Sequence, residues 1–337
     1  MQNRLVLQIN NKCNYKCDFC YVKKGCEEMK YKTAKKAVEF LFYKPKFKIP
    51  KKEVIMMGGE PLLSKSLIKK IVLLIREKYG NNVVIGIPSN FSLLNENDLY
   101  FFNKMNVDLS WSIYPGFKDI YKNKHFLSNS INKKRVRIRF TVKNDLKSIM
   151  DFYKNFMFFE KYEFVKFDVS PVIGVFWPQD SINLFLKYIK KILKLAKHNK
   201  IQFIKLQDCK NNYNEYKTLA FCPRVYHEIF VNISGEVYPC QWYSSINKPA
   251  SGSLGNINLE YRLLNANINR IKREILTYRV TSKKLSKDKK NNYNVNYHKF
   301  CLGNPAYNYD SVKKNEVILN NVELFQKLHS TIEEYLK

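Results

Sequence analysis

Apolar and polar positions through roughly the first two thirds of the chain follow two alternating rhythms. Short apolar runs, among them Leu5-Val6-Leu7-Gln8-Ile9, Val54-Ile55, Val83-Val84-Ile85-Gly86 and Leu109-Ser110-Trp111-Ser112-Ile113, read as strands. Longer stretches with lysines scattered along them, such as Thr33–Lys44 and Ser66–Lys78, read as helices. The pattern predicts strands over 4–9, 53–57, 83–88, 107–113, 135–142 and 163–173, and helices over 33–44, 66–79, 95–104, 145–158 and 180–198. Gly80 is placed to cap the second helix at its C-terminus. Strands alternating with helices imply βα units and a parallel sheet.

The character changes after residue 205. Val231–Pro239 reads as two strands around a Gly turn, a β-hairpin. Residues 280–297 are rich in Lys and Asn and read as a loop, and Val322–Leu336 reads as an amphipathic helix. No internal repeat appears beyond the βα period. These shifts divide the chain into 1–205, 206–310 and a helical tail, 311–337.

Composition narrows the class. A chain of 337 residues that is 45% hydrophobic and 15% aromatic has a substantial core to bury and is not disordered. No stretch approaches 18 continuous apolar residues, so no membrane association is expected. No basic-then-apolar leader is visible, and a cytoplasmic location is the default expectation. The formal net charge of +30 fits nucleic-acid or acidic-protein binding. It fits equally a lysine- and asparagine-rich proteome, and the scatter of lysines along helices, with no single stripe, favours that second reading. Nucleic acid is therefore not an expected partner, whereas an acidic electron carrier, flavodoxin or ferredoxin, suits a basic face.

The chemistry concentrates in cysteine. The chain holds eight, most of them at motif spacings, which reads as reduced metal ligands and not as a disulfide framework. Cys13, Cys17 and Cys20 form C-x3-C-x2-C directly after the first apolar run. Three thiolates this close can hold three irons of a [4Fe–4S] cube and leave the fourth without a protein ligand. A zinc knuckle or a buried thiol cluster are the plainer alternatives. Asn11, Asn14 and Asp18 suit a turn-rich loop. A second motif, Gly58-Gly59-Glu60-Pro61, follows Val54-Ile55 at the end of a predicted strand. Its glycines permit close backbone approach, Glu60 supplies an acceptor and Pro61 stiffens the exit.

Taken with the cysteine loop, this motif resembles the radical S-adenosylmethionine (SAM) enzymes. The resemblance implies α/β architecture, a partial (β/α)6 TIM-like barrel, and the six strands predicted here agree. It implies that the open iron is chelated by SAM, that the Gly-Gly-Glu-Pro strand end binds the SAM amino group, and that Phe19 lies against the adenine. Ser89 and Asn90 stand where the family has its Thr-Asn-Gly strand end, and Ser112 stands where the family's last serine of the next strand touches SAM. In the peptide-modifying branch an Asp-Gly pair follows that serine, and an arginine twelve residues on grips the SAM carboxylate. Here Tyr114-Pro115-Gly116 replaces the pair and Lys124 replaces the arginine, keeping the charge and losing the bidentate fork.

Later cysteines extend the resemblance. Cys222, Gly235-x4-Cys240 and the downstream Leu254-Gly255-Asn256-Ile257 are similar to the start of the auxiliary-cluster module called SPASM, or twitch in its shortened form. The further run of closely spaced cysteines of a full SPASM module is absent. The resemblance therefore implies a small C-terminal α+β domain over 206–310 with one auxiliary [4Fe–4S] cluster. Its ligands would be Cys222, Cys240 and Cys301, with Cys209, His298 or substrate as the fourth; zinc or buried thiols remain the alternative. Cys26 falls outside both patterns and reads as structural. His125, His198, His227 and His329 show no pairing at ligand spacing and also read as structural.

The implied chemistry is reductive cleavage of SAM to methionine and a 5′-deoxyadenosyl radical, which removes hydrogen from an unactivated carbon. The order of motifs is similar to that of peptide maturases and anaerobic sulfatase-maturase-like enzymes, so a peptide or protein is the first expected substrate. The chain begins almost at its first strand, and a separate leader-binding protein would then be needed. Oxidation of a small molecule, such as a sugar or cyclitol alcohol, is the second expectation. A basic RNA-binding iron–sulfur protein is the third, and it rests on charge alone.

Overall fold

The computed structural model describes residues 3–20, 22–43, 51–115, 131–164, 166–172, 174–198, 202–203, 228–238, 241, 253–262 and 264–269, with 320, 321, 323, 324, 327, 328, 330–332 and 334 near the C-terminus. They belong to two compact units, one drawn from Met1–Leu109 and Phe221–Lys287, the other from Ser110–Ala220 and Asp288–Lys337.

The first unit is built on parallel strands. β1 (Arg4–Gln8), β2 (Lys52–Met57) and β3 (Val83–Ser89) pair side by side, with Leu5 opposite Val54 and Val54 opposite Ile85. Between them run α1 (Tyr31–Leu41) and α2 (Lys65–Tyr79), and α3 (Glu96–Lys104) follows β3. Each helix buries one stripe: Ala34, Ala37, Val38 and Leu41 in α1, and Leu67, Ile68, Ile71, Val72 and Ile75 in α2. Gly80 caps α2 with φ +66, a conformation that suits glycine. β1 is buried on both faces, which is why it reads as a near-continuous apolar run. Val6 packs with Phe230 and Tyr238, while Leu5 and Leu7 are fully buried on the other face.

The predicted hairpin is present, and it joins this unit. β8 (Glu228–Val231) runs parallel to β1, and β9 (Glu236–Tyr238) returns antiparallel around Gly235, whose φ is +88. The short β10 (Gly255–Asn256) pairs with β9. Arg4 Nε lies 3.2 Å from Glu53 and 3.4 Å from Glu228, so one guanidinium pins the entrances of β1, β2 and β8. Tyr261, from a helical segment within 261–269, donates to the Lys36 carbonyl and sets its ring edge-on to Phe40.

The chain leaves the first unit within β4 (Val107–Ile113). In the second unit β5 (Val136–Val142), β6 (Lys166–Pro171) and β7 (Gln202–Phe203) are parallel, linked by α4 (Leu146–Lys161) and α5 (Gln179–His198). An aromatic cluster seats α4: Phe140 meets Phe152 at 5.2 Å, Phe167 meets Phe156 at 4.7 Å and Trp111 meets Phe159 at 5.2 Å. The C-terminal helical residues are tied in by two adjacent asparagines. Asn321 accepts from the Gly174 N–H and donates to the Val175 carbonyl, and Asn320 does the same with both backbone groups of Trp177.

Two boundaries differ from the sequence reading for one reason. The helix predicted over 145–158 continues to Lys161, and the strand predicted from 163 starts at Lys166. Glu163 takes φ +62, its N–H bonds the Glu160 carbonyl, and the Phe164 N–H reaches back to Phe159. That is a Schellman stop built without glycine, closed by the contact of Phe164 with Phe159 at 5.6 Å.

Candidate functional site

The three N-terminal cysteines sit on a loop that leaves β1 and is held from two sides. On one side it lies against the end of β2. The Gly59 N–H donates to the Asn10 carbonyl at 3.1 Å and the Glu60 N–H to the Lys12 carbonyl at 2.7 Å. Both glycines are required by this approach. A Cβ on Gly59 would stand 2.1 Å from the Lys12 carbonyl oxygen, and one on Gly58 would stand 2.6 Å from that of Asn10. The backbone that these glycines admit is thus that of residues 10–12. Asn10, fully buried, donates to the Glu60 carbonyl and to Ser64 Oγ, and the Ser64 hydroxyl donates in turn to Glu28 Oε2 at 2.5 Å. Asn10 Oδ1 is buried without a partner.

On the other side the loop meets the end of β3. Asn90 Nδ2 donates to Asn14 Oδ1 at 3.0 Å, and Asn14 Nδ2 donates to Ser92 Oγ at 2.8 Å. Ser92 closes the ring by donating to Asn90 Oδ1 from both its N–H and its hydroxyl. Asn14 lies between the first two cysteines, so this amide network fixes the middle of the cysteine loop to the residues after β3.

Glu60 joins the two sides. It is 2% exposed. One carboxylate oxygen accepts from the Leu62 N–H at 2.9 Å and Ser89 Oγ at 2.8 Å; the other accepts from the Asn90 N–H at 2.9 Å. Burial pushes its carboxyl above the usual range, and the three donors offset only part of that rise. Pro61 opens the short 3-10 turn Pro61–Ser64 that Glu60 caps.

Cys13 and Cys17 are half-buried and Cys20 is exposed, all with free thiols, and the Cys20 N–H donates to the Cys17 carbonyl. Burial raises the Cys13 thiol, and raises that of Cys17 to about 11 with help from Cys20. Lys24, whose ammonium donates to the Tyr15 carbonyl, works against this at both thiols. Binding metal here would release protons. Among the described residues, no three of His, Cys, Asp and Glu are gathered tightly enough for a single metal ion. A cube makes no such demand, since each thiolate takes a different iron. Three thiols on one loop, held by backbone bonds with the sulfurs within electrostatic reach of one another, fit such a group.

Of the remaining sequence candidates, Phe19 lies in the Asp18–Phe19 turn of the same loop and is half-buried. Ser112 belongs to the second unit, on β4. Lys124, Cys209, Cys222, Cys240, His298 and Cys301 lie outside the described residues, as do His125, His227, His329 and the loop expected over 280–297. Cys26 is exposed. Sequence reasoning missed Asn10, Ser64, Ser92 and Lys24, and took Asn14 only as a turn former. The available signal was a polar residue closing an apolar run just ahead of the first cysteine.

Comparison with known proteins identifies the N-terminal domain. Residues 7–111 match the family described as the Radical SAM superfamily. That match identifies residues 7–111 as a radical SAM domain. Members of that superfamily are enzymes that use a [4Fe–4S] cluster and SAM. The chain is 29% identical over 271 residues to the uncharacterised protein MJ0907 of Methanocaldococcus jannaschii, covering 75% of this chain and 88% of that one. It is 29% identical over 199 residues to the 7-carboxy-7-deazaguanine synthase of Clostridium acetobutylicum, covering 58% and 80%. The solved structure of anSMEcpe with bound AdoMet and peptide superposes with a TM-score of 0.63 at 14% identity, covering 97% of this chain and 98% of that one. That likeness is one of fold, the α/β partial TIM-like barrel. No helix among the described residues is long and apolar enough to cross a membrane.

Proposed function

We propose that Cys13, Cys17 and Cys20 hold a [4Fe–4S] cluster whose open iron binds SAM, and that the enzyme abstracts hydrogen from a peptide or protein substrate. The observation that carries the reading is Glu60. Buried and bonded to the ends of both β2 and β3, it sits beneath a cysteine loop that those same strand ends grip. When bound, the cluster and SAM supply reductive cleavage of a carbon–sulfur bond and a 5′-deoxyadenosyl radical. The protein's own part is positional. Gly58–Pro61 and Ser89–Asn90 present backbone and side-chain groups around the loop, Phe19 offers a ring to the adenine, and Ser112 and Lys124 are proposed contacts of SAM. Cys222, Cys240 and Cys301, with Cys209 or His298, are proposed to hold an auxiliary cluster.

The order of the motifs, with a hairpin leading to Cys240, supports a peptide substrate, and so does a fold shared with a protein solved with AdoMet and peptide. An acidic electron donor such as flavodoxin or ferredoxin, and a separate leader-binding protein, complete the proposal. A second reading, a small-molecule substrate, is favoured by the identity to 7-carboxy-7-deazaguanine synthase.

Anaerobic reconstitution tests the reading. Iron and sulfide are counted, and 5′-deoxyadenosine is sought from SAM and dithionite. About eight irons are expected with the auxiliary cluster and about four without it. If the triple variant Cys13→Ala, Cys17→Ala, Cys20→Ala still forms 5′-deoxyadenosine, the reading fails.

A further inference from the structure

The second unit carries an arginine whose hydrogen-bonding capacity is only partly used. Phe140 and Phe167 face α4, so the alternating residues Arg139 and Asp168 occupy the opposite face of the sheet. They are register partners, and Arg139 Nε lies 3.1 Å from Asp168 Oδ2. Asp168 is 5% exposed, whereas the Arg139 side chain is 34% exposed. Among the described residues nothing bonds the Nη1 and Nη2 edge of Arg139. A guanidinium fixed through Nε by a buried carboxylate presents its remaining fork in a set orientation. The same face carries Thr141, Ser170 and, on neighbouring β4, Ser110, whose hydroxyl is buried without a partner. The apolar face of these strands packs against α4, while on the polar face the Arg139 fork and the Ser110 hydroxyl are unused among the described residues.

The geometry points to a binding subsite in which Arg139, oriented by Asp168, takes a carboxylate of the substrate. The inference rests on the peptide reading for its substrate class, an acidic side chain or a chain terminus. A planar carboxylate matches the open fork, which can grip both of its oxygens through two parallel N–H donors. The Ser110 hydroxyl is a further donor on this face.

The test uses the reconstituted full-length enzyme and saturation-transfer NMR with three probes: acetyl-Ala-Glu-Ala-amide, its Gln counterpart, and glutarate. The Glu peptide should bind about tenfold or more tightly than the Gln peptide. Arg139→Gln should abolish the preference, and Arg139→Lys, which keeps the charge without the fork, should retain only part of it. Both variants should keep wild-type iron content and form 5′-deoxyadenosine from SAM without peptide at the wild-type rate. Equal binding of the two peptides, an intact preference in Arg139→Gln, or loss of SAM affinity in that variant overturns the inference. Arg139-dependent binding of glutarate with no binding of either peptide upholds the carboxylate subsite and removes the peptide reading instead.

Discussion

Replacing Glu60 by Gln changes one oxygen to an NH2 group and leaves the shape intact, so its cost measures the hydrogen bonds and the charge that strengthens them. Leu62 N–H and Ser89 Oγ share one carboxylate oxygen, and the Asn90 N–H uses the other. An amide oriented to keep the first pair turns its own donor toward the Asn90 N–H. Flipped, it serves Asn90 and strands Leu62. Either way one buried backbone N–H loses its partner, worth about 2 kcal/mol, and the surviving bonds lose their charge assistance, bringing the total to about 3 kcal/mol. Urea denaturation of the full chain followed by circular dichroism should show a lower midpoint. Isothermal titration of the reconstituted enzyme should show weaker SAM binding. Ser89→Ala, which removes one hydroxyl bond, should cost about 1 kcal/mol. A Gln variant matching the wild type in both measurements would refute the claim that Glu60 joins the strand ends beneath the loop.

Gly59→Ala places a methyl group 2.1 Å from a backbone oxygen that no side-chain motion can relieve, so the variant should lose most of its reconstituted iron while far-UV circular dichroism changes little. Asp98, 2% exposed, bridges Lys65 at 2.5 Å and Lys69 at 2.9 Å. Burial alone would raise its carboxyl, but the two ammonium groups outweigh it and hold the group below the usual range. Asp98→Asn should therefore cost about 2 kcal/mol at neutral pH. A depressed folded-state pKa contributes stability above the unfolded value, and the gap to the variant should close as pH falls through the folded one; a gap independent of pH in chemical denaturation would contradict this. Glu163→Gly should raise stability by about 1 kcal/mol, because glycine adopts φ +62 without the Cβ penalty and the ion pair lost, 3.7 Å to Lys133 from a carboxylate 86% exposed, contributes little. A lower thermal midpoint for that variant would show that the residue's side chain holds the turn.

What could be read from the sequence was whatever a local rhythm or a covalent spacing encodes. The βα units appear where the apolar periods put them, and the cysteine loop and Gly-Gly-Glu-Pro turn stand together because each closes a strand that pairs with the other in parallel. The exceptions have physical causes. Glu163 ends a helix in a conformation that sequence rules reserve for Gly or Asn, so the following strand started late. The pairing of β8 with β1 joins residues more than two hundred positions apart, and no local period records it. The trace it leaves is Arg4 at the start of an apolar run, whose two acidic partners, Glu53 and Glu228, are adjacent only after folding. Gly58 and Gly59 were recognisable as permissive residues, but permissiveness does not say what draws near. Here it is the backbone of residues 10–12, so the same two glycines that mark the motif also press the cysteine loop onto β2. The consequence is that these glycines, Asn10 and Asn14 set the position of the cysteine loop, so substitutions among them should lower iron loading on reconstitution.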